Sequence, residues 1–161
     1  MNRDRDVSGR PRNARPRDAL GRPLGRGAAG EPGTPDDFHL PPSAALAEAQ
    51  RLIDAGRPFH AHEVLEASWK AAPAPERDLW QGLAQIAVGL THAQRGNSRG
   101  AVTLLVRGAD RIRPYAASKA SAAEGVDVAR AVKETQRLAE RIERLGLAGL
   151  PPSDLRPRLL A

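Results

Sequence analysis

The sequence contains no cysteine, which excludes disulfide bonds and thiolate metal sites. Aromatic residues make up only 3% of the chain, so a hydrophobic core has to be built from leucine, isoleucine, valine and alanine. Alanine and leucine enter helices at little cost, and this composition therefore favours an all-α fold. No apolar run approaches the ~20 residues that span a bilayer, and the N-terminus lacks the apolar segment of a secretion signal. We expect a cytoplasmic protein without membrane contact.

Lysine is scarce too: Lys70, Lys119 and Lys133 are the only lysines, and every other basic residue is arginine. The net charge of +6 could indicate nucleic-acid binding. However, arginine is abundant together with alanine, glycine and proline, which indicates a general compositional bias. Residues 1–30 hold eight arginines against three aspartates, so much of the excess charge lies in this segment. Residues 43–161 carry an ordinary charge for a folded domain.

Three regions can be distinguished by composition. Residues 1–42 form an irregular arm rich in arginine, proline and glycine, in which each residue before a proline is pushed away from helical geometry. Residues 43–146 form the helical domain, and residues 147–161 form a tail broken by prolines and packed through its leucines. The arm could bind phosphate backbones through residues 1–30, but it lacks aromatic residues for base stacking, so its composition favours a solvated tail or a structural strap.

Turn residues and apolar periodicity predict five helices. The first begins with Ser43 as its N-cap and ends at Gly56. The others span about 58–72, 76–95, 98–112 and 126–145. The last of these carries an apolar stripe of Val128, Val132, Leu138, Ile142 and Leu145. A weak internal similarity between residues 53–65 and 93–105 suggests stacked helical hairpins. We therefore predict an all-α bundle or array of four to five helices.

The second helix carries ionisable residues between two of the scarce aromatics, Phe59 and Trp69. On a helical wheel His62 and Glu66, one turn apart, fall in the middle of its apolar arc. We therefore expect both side chains to point at the core, where they can pair with each other. His60 falls about 160° from His62 on the same wheel, so we expect it to reach solvent.

The third helix has two stripes. Leu79, Leu83, Ile86 and Leu90 form the apolar one, and Gln81, Gln85, Val88 and His92 form the other. A helix with two such faces is expected to be central, and Gly82 and Gly89 would let a neighbour approach closely. We infer that the stripe of glutamines and His92 faces His62 and Glu66.

Three interpretations of this polar cluster remain open. The first is a buried hydrogen-bond network that fixes how the helices pack. The second is a divalent metal site, such as zinc, on His62, Glu66 and His92, because the sequence HEVLE is the H-E-x-x-H pattern with Glu66 in place of the second histidine. The third is a pocket for a small polar ligand, or an acid–base site with Glu63 or Glu66 as the base.

These residues also carry a resemblance to a family. The pattern is His62-Glu63, Glu66, Trp69, then Gln81-Gly82-Leu83-Ala84-Gln85, His92 and Gly96-Asn97. It resembles the family known as domain of unknown function 309 over about residues 44–112. The arginine-rich arm resembles extensions of actinobacterial members. The resemblance implies a small all-helical bundle and no established reaction.

The sequence thus predicts a structural module, or one that binds a small polar ligand or a protein, rather than an enzyme. Its candidate site is the cluster of His62, Glu63, Glu66, Trp69, Gln81, Gln85 and His92. We assign no catalytic residue and expect no cofactor. The alternatives are a metal-dependent hydrolase that uses His62, Glu66 and His92, and nucleic-acid contact through the arm.

Overall fold

The structure is a computed structural model that describes residues 20–22, 40–117 and 125–160. Within these residues there are five α-helices and no strand. The helices are α1 (Pro42–Asp54), α2 (Pro58–Ala71), α3 (Arg77–Gln94), α4 (Ser98–Ile112) and α5 (Val128–Leu145). Short 3₁₀ turns lie at Ala74–Glu76, Arg113–Ala117, Leu147–Gly149 and Pro152–Leu155. The predicted all-α fold is confirmed.

Each helix packs mainly on the next one along the chain. The contacts run from α1 to α2, from α2 to α3, from α3 to α4 and from α4 to α5. Loops of a few residues join the first four helices, so neighbouring helices form hairpins. The array of stacked hairpins predicted from the sequence is therefore present, with α3 in the middle.

The central helix supplies the largest share of the core. Its predicted apolar stripe is completely buried, and Trp80 joins it with 1% of its surface exposed. The stripe is Leu79, Leu83, Ile86 and Leu90. The stripe predicted for α5 is buried except for its last member, Leu145, which is 50% exposed.

Two glycines bring α3 and α4 into close contact. A Cβ atom at Gly82 would lie 2.5 Å from Ile112 and 3.0 Å from the carbonyl oxygen of Gly108. A Cβ atom at Gly108 would lie 2.7 Å from the carbonyl oxygen of Gly82. Any side chain there would push the helices apart. The close approach that the sequence predicted at Gly82 is made by α4.

Two helix starts differ from the sequence-based prediction. The first helix begins at Pro42 after Pro41, and Ser43 lies exposed inside its first turn instead of capping it. Proline suits the first helical position because its φ is already helical. It also lacks the backbone N–H group, which at this position would have no hydrogen-bond partner within the helix. The last helix begins at Val128, and the Asp127 side chain caps it by accepting a hydrogen bond from the backbone N–H of Arg130.

The C-terminal tail packs on the domain through both leucines and polar contacts. Leu159 is 1% exposed and belongs to the core. The Gln50 side chain, 3% exposed, donates to the carbonyl oxygen of Pro157 at 3.2 Å and accepts from the backbone N–H of Leu159 at 2.7 Å. A glutamine of α1 thus fixes the tail, which composition alone did not predict.

Within the described ranges, no helix is both long enough and apolar enough to cross a membrane.

Candidate functional site

The first group of predicted site residues, His62 and Glu66, lies on the surface of α2. His62 Nε2 lies 3.1 Å from Glu66 Oε2, and Lys70 Nζ lies 3.2 Å from Glu66 Oε1. The His62 and Glu66 side chains are 22% and 35% exposed. The hydrogen bond from His62 lowers the pKa of Glu66 to about 2, helped by the charges of His62 and Lys70 and opposed by partial burial. The two residues pair as predicted, but they do not point into the core.

The prediction for His60 is wrong. Its side chain is buried, with 7% exposed, instead of reaching solvent. Its ring meets the Phe59 ring edge-on at a centroid distance of 5.8 Å, and the Arg57 guanidinium lies 3.5 Å from its Nε2. Because α2 packs against both α1 and α3, the side of the helix opposite His62 is also covered. A wheel for one isolated helix does not contain this information.

The two glutamines of α3 form a second group, and they face α4 instead of α2. Gln85 Oε1 accepts a hydrogen bond from Arg111 Nε at 3.2 Å, and Gln81 Oε1 accepts one from Arg111 Nη1 at 3.0 Å. Asp78 accepts a further one from Nη1 at 2.9 Å. The inferred contact of this stripe with His62 and Glu66 is therefore wrong, because the close packing at Gly82 brings α4 alongside it.

Arg111 also forms part of the wall of an open groove of about 790 Å³ on the flank of α4. Its side chain is 32% exposed. Among the described residues, no acceptor binds its Nη2 group. The groove is lined by Asp78, Val102, Thr103, Val106, Arg107, Asp110, Arg111, Pro114 and Glu143. An oriented guanidinium therefore borders a space that is open to a ligand.

The third group is His92 with Asn97, at the turn between α3 and α4. Asn97 Nδ2 lies 3.1 Å from His92 Nδ1, and Asn97 Oδ1 accepts from the backbone N–H of Gly100 at 2.9 Å. Asn97 thus caps α4 and contacts the histidine with the other end of its amide. Desolvation, and next the charge of Arg95, lower the pKa of His92 below its ordinary value of 6.5.

The remaining members of the predicted cluster are half-buried. Trp69 packs against the hydrophobic core, and Glu63 lies on α2 one residue after His62. The predicted single buried cluster is thus corrected to three separate groups, none of them fully buried. Among the described residues, no set of three or more histidine, aspartate or glutamate side chains is placed to hold a metal ion. The metal site on His62, Glu66 and His92 stays an untested prediction.

Arg111 was missed in the sequence, although a signal for it was present. Gln81 and Gln85 place two side-chain carbonyl oxygens on one face of α3, and these oxygens need donors. Arginine can serve both at once because its guanidinium carries five N–H groups. The sequence does not show which of its many arginines lies close to the two glutamines, because this depends on how α3 and α4 cross.

Comparison with known proteins agrees with the resemblance drawn from the motif. Residues 46–104 match the family described as Domain of unknown function (DUF309). The chain is also 37% identical over 87 residues to the uncharacterized protein YpuF of Bacillus subtilis (strain 168). That alignment covers 53% of this chain and 48% of YpuF, so the chain spans about half the length of this curated relative. No solved structure matches the chain.

The match to the DUF309 family model thus covers residues 46–104, which is less than half of the chain. This segment contains the α2 pair, the two glutamines and the contact between His92 and Asn97. Arg111 and the groove residues that follow it lie beyond the matched segment.

Proposed function

We propose that this protein is a peptide-binding module and that the groove beside α4 holds the peptide, with Arg111 as the donor that anchors it. The observation that carries the proposal is the way in which the Arg111 guanidinium is held at the edge of the groove. It is fixed by hydrogen bonds to Asp78, Gln81 and Gln85 and still borders an open groove. A donor that is oriented before the ligand arrives loses little entropy on binding.

The partners of Arg111 leave it able to bind a carbonyl or carboxylate group. Gln81 and Gln85 are neutral, so they orient the guanidinium without cancelling its charge. The carboxylate of Asp78 is 65% exposed, so solvent screens its attraction. The Nη2 group keeps two N–H donors for an acceptor on the ligand.

The groove lining has no excess of positive charge, because it carries three acidic residues and two arginines. Asp78 pairs with Arg111, and Asp110 pairs with Arg113 at 2.9 Å. Arg107 and Glu143 also line the groove, carry opposite charges and have no ion-pair partner within the described part of the chain. A groove with more acidic than basic residues does not favour a polyanion such as nucleic acid. It suits a peptide, which brings hydrogen-bond donors and acceptors and can carry charges of both signs.

An apolar strip adds the contact area that a peptide needs. Val102, Val106 and Pro114 line the groove, and Val106 is 40% exposed. Burying such a side chain on binding contributes about 1.5–3 kcal/mol at most. The combination of an apolar strip with an oriented arginine is typical of sites that recognise a short protein segment.

The test is selection of binding peptides from a random library, followed by titration of each by fluorescence anisotropy. Arg111→Gln should weaken the selected peptides by about tenfold or more, because a charged hydrogen bond is lost. Val106→Asp should weaken them as well. Arg130→Gln is the matched control, because Arg130 pairs with Glu134 on α5, away from the groove. Failure to select any peptide, or equal binding by Arg111→Gln and Arg130→Gln, would overturn the proposal.

A further inference from the structure

A short piece of the arm, Leu20–Arg22, lies where α2 begins and α3 ends. The carbonyl oxygen of Leu20 accepts a hydrogen bond from Arg95 Nε at 3.0 Å. Gly21 is buried and has a φ of +75°. This three-residue segment thus makes a defined contact with the helical domain.

Only glycine fits at position 21. A Cβ atom there would lie 2.2 Å from Cγ and 2.8 Å from Cβ of Phe59. The positive φ is also unfavourable for any residue with a side chain. The packing against Phe59 and the backbone conformation thus each require glycine at position 21, independently of each other.

The surface beneath Gly21 is built from both helices. The guanidinium carbon of Arg95 lies 6.0 Å from the centre of the Phe59 ring, which is within the range of a cation–π contact. The ring of His62 lies at a centroid distance of 5.4 Å from the Phe59 ring, and that of His60 at 5.8 Å. Phe59 and Arg95 therefore offer an aromatic ring and a donor side by side, next to the first predicted site group.

We propose that Phe59 and Arg95 form a seat for a glycine in the left-handed conformation, and that the chain's own arm occupies it through Gly21 as a releasable latch. The ring excludes any side chain, and Arg95 holds the preceding carbonyl group. When the latch is closed, it covers Phe59 beside His62. This inference goes beyond the groove of α4 and does not depend on it.

The sequence offers a matched control for the latch. Leu-Gly-Arg occurs twice, at residues 20–22 and 24–26, and the second copy lies outside the described residues. Gly21→Ala and Gly25→Ala thus make the same change in the same tripeptide, four residues apart. We expect only the first to open the latch.

The experiment is nuclear magnetic resonance on the full chain. The wild type should show a nuclear Overhauser contact between the Gly21 Hα atoms and the Phe59 ring, and slow hydrogen exchange at Arg95 Nε. Gly21→Ala should speed that exchange by about tenfold or more, and Gly25→Ala should leave it unchanged. Arg95→Gln should weaken the contact between Gly21 and Phe59. The unchanged spectrum of the other helical residues shows that each variant is folded.

Three results would overturn the proposal. The first is the absence of the Gly21–Phe59 contact in the wild type. The second is equal exchange at Arg95 Nε in Gly21→Ala and the wild type. The third is a contact that forms between chains in a mixture of labelled and unlabelled protein, which would make the arm an exchanged segment of a second copy instead of a latch on its own domain.

Discussion

Asn97 holds His92 in a single neutral tautomer. The backbone N–H of Gly100 binds Asn97 Oδ1, and this fixes the amide so that its Nδ2 group donates to His92 Nδ1. The ring nitrogen Nδ1 must then be an acceptor, so the ring proton sits on Nε2. Protonation would place an N–H group against the Asn97 amino group, which agrees with the lowered pKa of His92.

The first prediction is that Asn97→Asp raises the pKa of His92. The aspartate keeps the cap of α4 but offers an acceptor and a negative charge to Nδ1, and both favour the imidazolium. The measurement is the pH titration of the His92 ring signals in both proteins. A pKa that stays at the wild-type value in Asn97→Asp would contradict the tautomer assigned here.

The sign of the wild-type pH dependence also follows. His92 has a lower pKa in the folded state than its ordinary value of 6.5, so the unfolded chain binds more protons between these two values. The stability contributed by the neutral histidine is fully present above pH 6.5 and is lost as the pH falls through the folded pKa. In Asn97→Asp this loss should shrink or reverse.

The second prediction concerns Glu66. Because its side chain is 35% exposed, Glu66→Gln and Glu66→Leu should both cost only about 1 kcal/mol or less at pH 7. The folded pKa of about 2 lies below the ordinary 4.5, so the contribution of Glu66 is present above pH 4.5 and is lost as the pH falls toward 2. Urea unfolding at several pH values measures the difference between wild type and Glu66→Gln, which should vanish in acid.

The same variants test the metal alternative. If His62, Glu66 and His92 held a divalent ion, Glu66→Gln would remove an anionic ligand, and a chelator would lower the melting temperature of the wild type. We expect the wild type to be indifferent to chelator, because His62 and His92 already contact Glu66 and Asn97 respectively. Stoichiometric metal in elemental analysis, together with a chelator-sensitive melting temperature, would establish the metal site instead.

The third prediction concerns the tail. Gln50→Leu keeps the volume of the side chain but leaves the buried Pro157 carbonyl and Leu159 N–H without their partner. Each orphaned group costs about 1–3 kcal/mol, so we expect a loss of roughly 2–6 kcal/mol in the free energy of unfolding. Gln136→Leu, on the half-buried flank of α5, is the control and should have a small effect. Similar losses in both variants would mean that Gln50 does not fix the tail.

The fourth prediction concerns the arm. Deletion of residues 1–18 should not change stability. Deletion of residues 1–30 removes Gly21 and the hydrogen bond from Arg95 to Leu20, and it should cost about 1–2 kcal/mol with the helices intact. Thermal unfolding of both truncated proteins measures this difference. If the arm binds nucleic acid, both deletions should also reduce salt-sensitive retention on DNA or RNA. Absence of such retention by the full chain at low salt would exclude that role.

Much of the fold could be predicted because helix ends and core stripes are local signals. The stripe of α3 and the turns at Gly56 and Gly96 depend only on residues close in sequence. The candidate site depends on which helix covers which face, and that information is not local. The helical wheel of α2 places His60 toward solvent because it contains no information about α1. The spacing of the two glutamines does not identify Arg111 as their donor, so it does not show that they face α4 and not α2.

The most direct test of the peptide-binding proposal is to locate a selected peptide on the protein by nuclear magnetic resonance. We predict that its addition shifts the Arg111 Nε–H signal and the methyl signals of Val102 and Val106 more than any others. In Arg111→Gln the same peptide should cause the same pattern only at about tenfold higher concentration or more. Shifts that centre on Phe59 and Arg95, or that spread over the surface without reaching Arg111, would contradict the account.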